Sequence, residues 1–351
     1  MSVTLLKDSS VSLSLPNSNS SAQIHLFGAT VTSWKCNGVE KLFLSNKSNL
    51  DGSAAIRGGI PIIFPVFGPT SDHQDLPKGK AMEGLPRHGF ARDSFWILAD
   101  GDDKIDDAQV DAKEKVSAAF VLKSTSDPTK FSSYKFPFTL IYTVTLTSSN
   151  LTTSLKVTHD STPTSSSDTM PFQALLHNYI RVPSSSTSSI QGLKGLSYLD
   201  KTSSDKTQPK EFHSEILSTE SKEIDSVFIG SSPDIKLSYK DEKNGGINVT
   251  RIGFKDTTIW NPAKEKSDGM KDMQQDGWKE FVCVEPGHVR GWVELKKGES
   301  WTGSQLWRRF ETKTVNVRNN SDNRLHTHLE TVVEKRNFCG QFQSIRDMRR
   351  S

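Results

Sequence analysis

Residues 136–160, FPFTLIYTVTLTSSNLTTSLKVTHD, alternate apolar and polar side chains over most of their length. Successive side chains of a β-strand point to opposite faces, so an apolar residue at every second position gives the strand one buried face. A Ser-Ser-Asn break, of residue types that favour turns, divides the stretch in two. The pattern predicts a β-hairpin whose buried face is formed by Phe138, Leu140, Tyr142, Val144 and Leu146 on one strand and Leu151, Leu155 and Val157 on the other.

Shorter runs of the same kind recur along the chain and predict an all-β fold. They read AQIHLFGATVTSWKC, KLFLSN, KEFVCVEP and GWVELKKGESWTGSQLW, and each is bounded by Gly, Asn, Asp or Pro. No window sustains the i, i+3, i+4, i+7 spacing of a long helix. With 351 residues, of which 34% are hydrophobic, the chain can bury a sizeable core in a sandwich or barrel.

Charge and cysteine content exclude several classes of protein. The 44 basic and 41 acidic side chains nearly cancel, so a nucleic-acid-binding surface is not expected and any cationic site is local. The three cysteines, Cys36, Cys283 and Cys339, lack CxxC or CxxH spacing, which argues against a zinc knuckle or a disulfide framework. No apolar stretch is long enough for a signal peptide or a membrane span, so we expect a cytoplasmic protein with no membrane partner.

Two regions differ from the strand-rich remainder. Residues 100–115, DGDDKIDDAQVDAKEK, are acidic but lack the Gly and Glu positions of an EF-hand, so we interpret them as a solvated loop insertion and not as a calcium site. From residue 313 the chain is polar and weakly patterned. We therefore expect a single β-sandwich domain over residues 1–312 and a poorly ordered C-terminal tail over residues 313–351.

An arginine directly before a glycine pair, in AAIRGGIPIIFPVFGP, indicates a candidate anion site. The two prolines exclude a helix interior or a central strand, and Gly58 and Gly59 allow a ligand to approach the backbone closely. A guanidinium at Arg57 can pair with a phosphate or carboxylate through two charge-assisted hydrogen bonds. The alternative is an arginine that caps carbonyl groups at a sheet edge.

A second cationic cluster follows in LPRHGFARDSFW, where Arg87 and Arg92 flank His88. Nearby cations disfavour the imidazolium, so we expect a lowered pKa for His88 and a neutral, hydrogen-bonding role. A purely structural histidine is the alternative at this position.

Two further motifs place a titratable group beside an apolar run. His177 ends the run in FQALLHNYIRV, and Glu285 in FVCVEPGHVRGW follows a strand-like segment and precedes a Pro-Gly pair that predicts a turn. A carboxylate in such a position costs several kcal/mol unless it is paired, which indicates a site and not packing. A facing His and Glu would form a general acid and base, but the spacing alone does not show that they meet.

In chain order, AAIRGGIPIIFPVFGP, LPRHGFAR, LLHNYIRV, IWNP and DGWKEFVCVEPG resemble the aldose 1-epimerase superfamily, and specifically its glucose-6-phosphate 1-epimerase (hexose-6-phosphate mutarotase) branch. The resemblance covers residues 10–312. It implies a large antiparallel β-sandwich of the galactose mutarotase-like type, with a sugar cleft on a concave sheet face. It also implies an isomerase that interconverts the α and β anomers of a hexose 6-phosphate without a metal or organic cofactor.

The resemblance also assigns roles to individual residues. His177 is similar to the family's acid and Glu285 to its base. Arg57 and Arg92 would hold the 6-phosphate, and His88 would hydrogen-bond the sugar.

Two further substrate contacts follow from the same resemblance. Asp225, in SKEIDSVF, resembles an aspartate that grips ring hydroxyls. Arg87 stands where the family usually has a glutamine, so it either adds a third cationic contact or turns away. The expected partner is a small-molecule sugar phosphate, bound by a monomer.

Three other functions are compatible with the sequence. The first is a non-catalytic carbohydrate-binding module that uses the same cleft. The second is a mutarotase for unphosphorylated aldoses. The third is a metal-dependent, cupin-like enzyme built on His73, His88, His177 and His288, although these histidines lack short metal-ligand spacings.

Overall fold

The computed structural model describes residues 1–73, 82, 84–99, 114–161, 169–219, 222–230, 234–239, 245–318 and 325–332, with side chains up to residue 311. Within these ranges, the one α-helix, α1, spans Ala263–Asp268. No helix in the described part of the chain is long and apolar enough to cross a membrane.

Three antiparallel sheets contain the strands. The N-terminal sheet has the order β1–β2–β3–β4–β5, formed by Ser2–Leu5, Ser10–Leu15, Ser20–His25, Thr30–Cys36 and Val39–Glu40. The other strands are β6 Ile62–Ile63, β7 Ile97–Leu98, β8 Lys115–Lys123, β9 Phe138–Thr147, β10 Asn150–His159, β11 Thr169–Leu176, β12 Tyr179–Arg181, β13 Ser189–Gln191, β14 Ser197–Asp200, β15 Lys210–Glu211, β16 Leu217–Ser218, β17 Ile224–Phe228, β18 Asp234–Ser238, β19 Gly245–Ile252, β20 Asp256–Asn261, β21 Phe281–Lys296, β22 Ser300–Arg318 and β23 Leu325–Val332. One large sheet has the order β16–β13–β18–β19–β22–β10–β9–β8–β7, with β23 on β22, and the other has the order β15–β14–β17–β20–β21–β11–β6, with β12 on β21.

The predicted hairpin forms the middle of the first large sheet. Strands β9 and β10 pair in register, with Leu146 opposite Leu151. Its predicted apolar face is fully buried in the main core, where it packs with residues of the second large sheet. Each such buried side chain contributes roughly 1.5–3 kcal/mol to folding. The prediction of an all-β antiparallel sandwich is therefore confirmed.

Strand β21 separates the core from a second, chemically different face. Val282 and Val284 belong to the main core, whereas Cys283 packs with aromatic side chains on the opposite face. Because side chains alternate along a strand, Glu285 points to the same face as Cys283. The sandwich thus holds the carboxylate of Glu285 on a rigid central strand.

A buried polar network on the core side fixes the backbone next to His177. The Asn178 side-chain amide donates to the carbonyl of Val284 and to Gln305 Oε1, both at 2.7 Å. Gln305 donates in return to Asn178 Oδ1 at 2.9 Å and to Thr153 Oγ1 at 3.1 Å. These bonds connect the two large sheets through side chains that are almost completely buried.

Replacing Gln305 by Ala is expected to lower the free energy of unfolding by roughly 2–4 kcal/mol, because it leaves two buried polar partners unsatisfied and a cavity behind. Urea unfolding followed by tryptophan fluorescence measures this change. Thr302→Ala, at an exposed position of the same strand, is the matched control and should change stability by less than about 0.5 kcal/mol. Equal losses in the two variants would contradict the structural role of the network.

Strand β22 continues to Arg318 and pairs with β23, so residues 313–318 and 325–332 are in strands. The domain boundary at residue 312 and the poorly ordered C-terminal tail stay predictions. One prediction about a turn requires correction. The Pro-Gly pair after Glu285 is not a turn, since β21 continues through it. In the register of β11 on β21, Pro286 faces Leu176, the last residue of β11, and the paired residues of that ladder end at Gly287, so no ladder hydrogen bond to β11 is required of Pro286. Of the acidic insertion, residues 100–113 lie outside the described residues.

Candidate active site

The strand register brings His177 and Glu285 together. On β21, Leu175 is opposite Gly287 and Tyr179 is opposite Cys283. His177, in the short connection between β11 and β12, is midway between Leu175 and Tyr179. Glu285 is midway between Gly287 and Cys283, so the two residues face each other. Their nearest atoms, Nδ1 and Oε1, are 3.2 Å apart. The sequence spacing did not show that His177 and Glu285 meet, and the structure places them side by side as one pair.

Three buried polar atoms in this row lack a hydrogen-bond partner within the described part of the chain. They are His177 Nδ1, Glu285 Oε1 and the hydroxyl of Thr258, which pairs with Glu285 from the other side. His177 Nδ1 and Glu285 Oε1 lie 3.2 Å apart without hydrogen-bond geometry, so each retains capacity for a further hydrogen bond, for example to a ligand.

Aromatic rings hold the imidazole of His177 in place. Tyr179 stacks on it with ring centroids 4.8 Å apart and an interplanar angle of 10°. Trp260 meets it edge-on at 5.5 Å. With both contacts, the ring has little freedom to rotate away from Glu285.

Burial shifts the pKa values of the pair towards the neutral forms. Burial lowers the pKa of His177 well below its usual value, and Arg57 and Arg92 add to the shift. Burial also raises the pKa of Glu285 well above its usual value, with a further contribution from the charge of Asp225. The free protein thus favours a neutral imidazole and a protonated carboxyl group, although acid–base catalysis by this pair requires the charged forms.

Arg57 extends from the glycine turn towards the same face. Its Nε donates to Asp272 Oδ2 at 3.1 Å and its NH1 donates to the hydroxyl of Tyr179 at 2.9 Å. Gly59 has φ +65°, and a Cβ there would lie 2.2 Å from the carbonyl oxygen of Val31, so only glycine fits this turn. The guanidinium therefore binds side chains of the site, and capping of sheet-edge carbonyls is not its role here.

The second cationic cluster lies beside His177. His88 has φ +69°, a rarely populated conformation for a residue with a side chain, and its ring centroid is 6.1 Å from that of His177. The backbone N–H of Gly68 donates to His88 Nδ1 at 3.1 Å. Arg87 Nε–H points at the other ring nitrogen, Nε2, at 3.4 Å, so both nitrogens of His88 face donors and a neutral imidazole can accept from only one of them.

Burial lowers the pKa of His88 well below its usual value, and Arg92 is the next largest cause. The sequence predicted this direction from the flanking arginines. The larger cause, burial, could not be seen in the sequence. The neutral, hydrogen-bonding role proposed for His88 remains a prediction that agrees with this environment.

Arg87 and Arg92 remain close to the site. Arg92 NH2 donates to the carbonyl of Arg87 at 3.0 Å, and Arg87 Nε lies 3.4 Å from His88 Nε2. Both guanidinium groups contribute to the lowered pKa of His177. Arg87 is exposed and lies beside His88, and a third cationic contact to the substrate stays a prediction.

Asp225 lies on the same sheet face, on β17, two strands from the β21 strand of Glu285. It pairs with Trp260 of β20, which in turn pairs with Cys283 of β21, so these residues form one row across the sheet. Burial raises the pKa of Asp225. The row places Asp225 on the same sheet face as Cys283 and Glu285; its contact with ring hydroxyls stays a prediction.

Sequence reasoning missed several residues of the site. Tyr179 could have been found, because it is two positions after His177 on a strand and therefore shares its face. Lys201 gave no signal: its backbone N–H donates to the Asp225 carbonyl at 2.7 Å, and its Nζ lies 4.9 Å from the Phe67 ring centroid. Asp272, the partner of Arg57, gave none either.

The histidines of the metal-enzyme alternative do not form a ligand cluster among the described residues. The set that does come close is His177, Cys283 and Glu285, whose potential ligand atoms lie within 4.8 Å of one another. Arg57 and Arg92 oppose the binding of another cation beside them, so this set is better suited to proton transfer. Cys36 and Cys283 are both free thiols.

Residues 11–308 match the aldose 1-epimerase family, and the chain belongs to it. In sequence it is similar to a "Putative glucose-6-phosphate 1-epimerase" of Cenchrus ciliaris, with 30% identity over 288 residues that cover 81% of this chain and 80% of the relative. A protein of the same printed name from Escherichia coli K12 is 30% identical over 269 residues, covering 76% of this chain and 80% of that protein.

Solved structures support the same fold. A "putative mutarotase (YeaD)" from Salmonella typhimurium superposes with a TM-score of 0.68 at 23% identity, covering 86% of this chain and 90% of that one. A "galactose mutarotase related enzyme" from Lactobacillus acidophilus gives a TM-score of 0.63 at 19% identity, covering 85% and 97% of the two chains. The predicted galactose mutarotase-like fold is confirmed.

Proposed function

We propose that this epimerase interconverts the α and β anomers of a hexose 6-phosphate, most specifically glucose 6-phosphate. Glu285 takes the proton of the C1 hydroxyl, and the C1–O5 ring bond breaks as His177 protonates the ring oxygen. The open-chain aldehyde then rotates about C1–C2. Reclosure returns both protons and delivers the other anomer, so no redox cofactor is required.

The observation that carries this proposal is the position of the arginines relative to the acid–base pair. Arg57 binds the Tyr179 hydroxyl, and the Tyr179 ring stacks on His177. The distance from a dianion bound at Arg57 and Arg92 to the reacting centre would thus be no longer than a hexose phosphate. The printed names of the two sequence relatives, which include glucose 6-phosphate, agree with this substrate.

His88 and Asp225 complete the proposed sugar site by binding ring hydroxyls, and Arg87 adds to the anion site. We further propose that the protein acts as a cytoplasmic monomer whose partner is the sugar phosphate alone. An aldose site without phosphate selection is the second candidate, because the acid–base pair itself needs only a hemiacetal.

Anomer exchange measured by NMR saturation transfer tests the substrate. At equal enzyme concentration, we expect the rate acceleration of anomer exchange to be at least about tenfold larger for glucose 6-phosphate than for glucose. The reason is that the charge-assisted phosphate contacts form only with glucose 6-phosphate. The rate should be unchanged after treatment with a chelator. Equal acceleration of both sugars would favour the general aldose mutarotase, and binding without exchange would favour a carbohydrate-binding module.

A further inference from the structure

We propose that the phosphate group of the substrate activates the acid of this reaction as well as anchoring the sugar, because a dianion held by the arginine cluster favours the imidazolium form of His177. This inference rests on the proposed function and concerns the same site. The phosphate group, although it does not react, would thereby influence proton transfer at the other end of the substrate.

The first argument is the concentration of positive charge around an imidazole that must itself become positive. Arg57 approaches from the glycine turn, and Arg87 and Arg92 approach from the segment before β7. All three guanidinium groups act on His177 through space. In a buried site such charges interact far more strongly than in water, so their neutralisation has a correspondingly large effect.

The second argument concerns the other groups that face His177. Glu285 and Cys283 face it from β21, Tyr179 follows it in the chain, and His88 approaches from the side of the arginines. Cys283, Tyr179 and His88 have pKa values shifted so that they are uncharged near neutral pH. Burial also favours the uncharged form of Glu285. The free site therefore has three cations near His177, one of which, Arg57, is partly balanced by its ion pair with Asp272 at 3.1 Å.

The third argument is a direct structural path from the anion site to the acid. Arg57 donates to the Tyr179 hydroxyl at 2.9 Å, and the same tyrosine stacks on His177 with an interplanar angle of 10°. If the guanidinium of Arg57 moved towards a bound phosphate, its hydrogen bond to the Tyr179 hydroxyl would weaken. Tyr179 is therefore a positioning residue that couples the occupancy of the arginine cluster to the imidazole.

The consequence for pH dependence has a definite sign. Activity requires protonated His177, so a lowered pKa restricts turnover to acidic pH, and a raised pKa moves the basic limb of the rate profile upward. Glucose 6-phosphate should therefore be turned over at higher pH than glucose. Each unit by which phosphate binding raises the pKa of His177 increases the imidazolium fraction about tenfold on the basic side.

NMR of the full-length protein with labelled histidine tests the inference directly. His177 is assigned by the resonance lost in His177→Asn, and its pKa is measured in free protein and in saturating 1,5-anhydroglucitol 6-phosphate, which lacks the anomeric hydroxyl and does not react. We expect the pKa of His177 to rise by at least about one unit on binding. Saturating binding with an unchanged or lowered pKa would overturn the inference.

Phosphite dianion supplied separately from the sugar gives a kinetic test. It should accelerate the anomerisation of glucose by wild-type protein at pH 8, and it should compete with glucose 6-phosphate. Competition without acceleration of glucose would contradict activation and leave only anchoring. If wild-type protein does not anomerise glucose 6-phosphate at all, the proposed function itself fails, so the two failures are distinguishable.

Tyr179→Phe tests the coupling through the tyrosine. The phenyl ring keeps the stack on His177, whereas the bond to Arg57 is lost. We expect a smaller rise in the pKa of His177 on analogue binding, together with a basic limb for glucose 6-phosphate at lower pH than in wild type. Tyr198→Phe, on strand β14 and stacked on Phe228, is the matched control and should retain the wild-type rise in the pKa of His177. If the pKa of His177 rises as much in Tyr179→Phe as in wild type, Tyr179 has no part in the coupling.

Discussion

Glu285→Gln is expected to reduce turnover of glucose 6-phosphate at least about a hundredfold, and His177→Asn by a similar factor. Each proton-transfer group of this kind typically contributes 10² to 10⁴ in rate. The amide of Gln has the shape of the carboxyl group but accepts no proton at neutral pH. Because Glu285 and His177 face each other at 3.2 Å as one unit, the double variant should be scarcely slower than either single variant.

Saturation transfer at matched substrate concentrations measures these losses. Retained binding of 1,5-anhydroglucitol 6-phosphate shows that each variant is folded with an intact site. His213→Asn and Glu211→Gln change the same residue types at exposed positions that face each other elsewhere, and both should leave turnover unchanged. A loss of less than tenfold in His177→Asn or Glu285→Gln would remove that residue from the mechanism.

Features carried by local sequence were predictable. The alternation in residues 136–160 gave the β9–β10 hairpin with its buried face, because period two is a property of consecutive residues. The glycine pair after Arg57 likewise predicted an irregular backbone, and the left-handed φ values of Gly58 and Gly59 agree with it. The direction of the pKa shift of His88 was predictable because Arg87 and Arg92 are its neighbours in the chain.

Features that depend on pairing between distant strands were not predictable from single-sequence reasoning. The meeting of His177 with Glu285 follows from the register of β11 and β12 on β21, and no spacing in the sequence encodes that register. The same limit explains the error at Glu285, where Pro-Gly predicted a turn. Proline is tolerated inside β21 only because the neighbouring strand is interrupted there, which is a tertiary fact.

Arg57→Ala is expected to lower kcat/KM for glucose 6-phosphate by about 30- to 150-fold, which corresponds to about 2–3 kcal/mol for a lost charge-assisted contact in a partly closed site. The side chain is 24% exposed and already oriented by Asp272 and Tyr179, so little ordering is needed when a phosphate binds. Arg57→Lys should recover only part of the loss, because an ammonium group lacks the two parallel donors of a guanidinium. Arg308→Ala, at an exposed position of β22 on the other large sheet, is the matched control.

The comparison with glucose gives this variant its diagnostic value. Loss of Arg57 removes a phosphate contact but also removes a cation that lowers the pKa of His177. Glucose makes no phosphate contact, so its anomerisation should be little changed at acidic pH and should persist to higher pH than in wild type, since the imidazolium is less disfavoured. Polarimetry of both sugars across pH 5 to 9 separates these effects. Equal losses for glucose and glucose 6-phosphate at every pH would mean that Arg57 supports the structure of the site and is not its anion anchor.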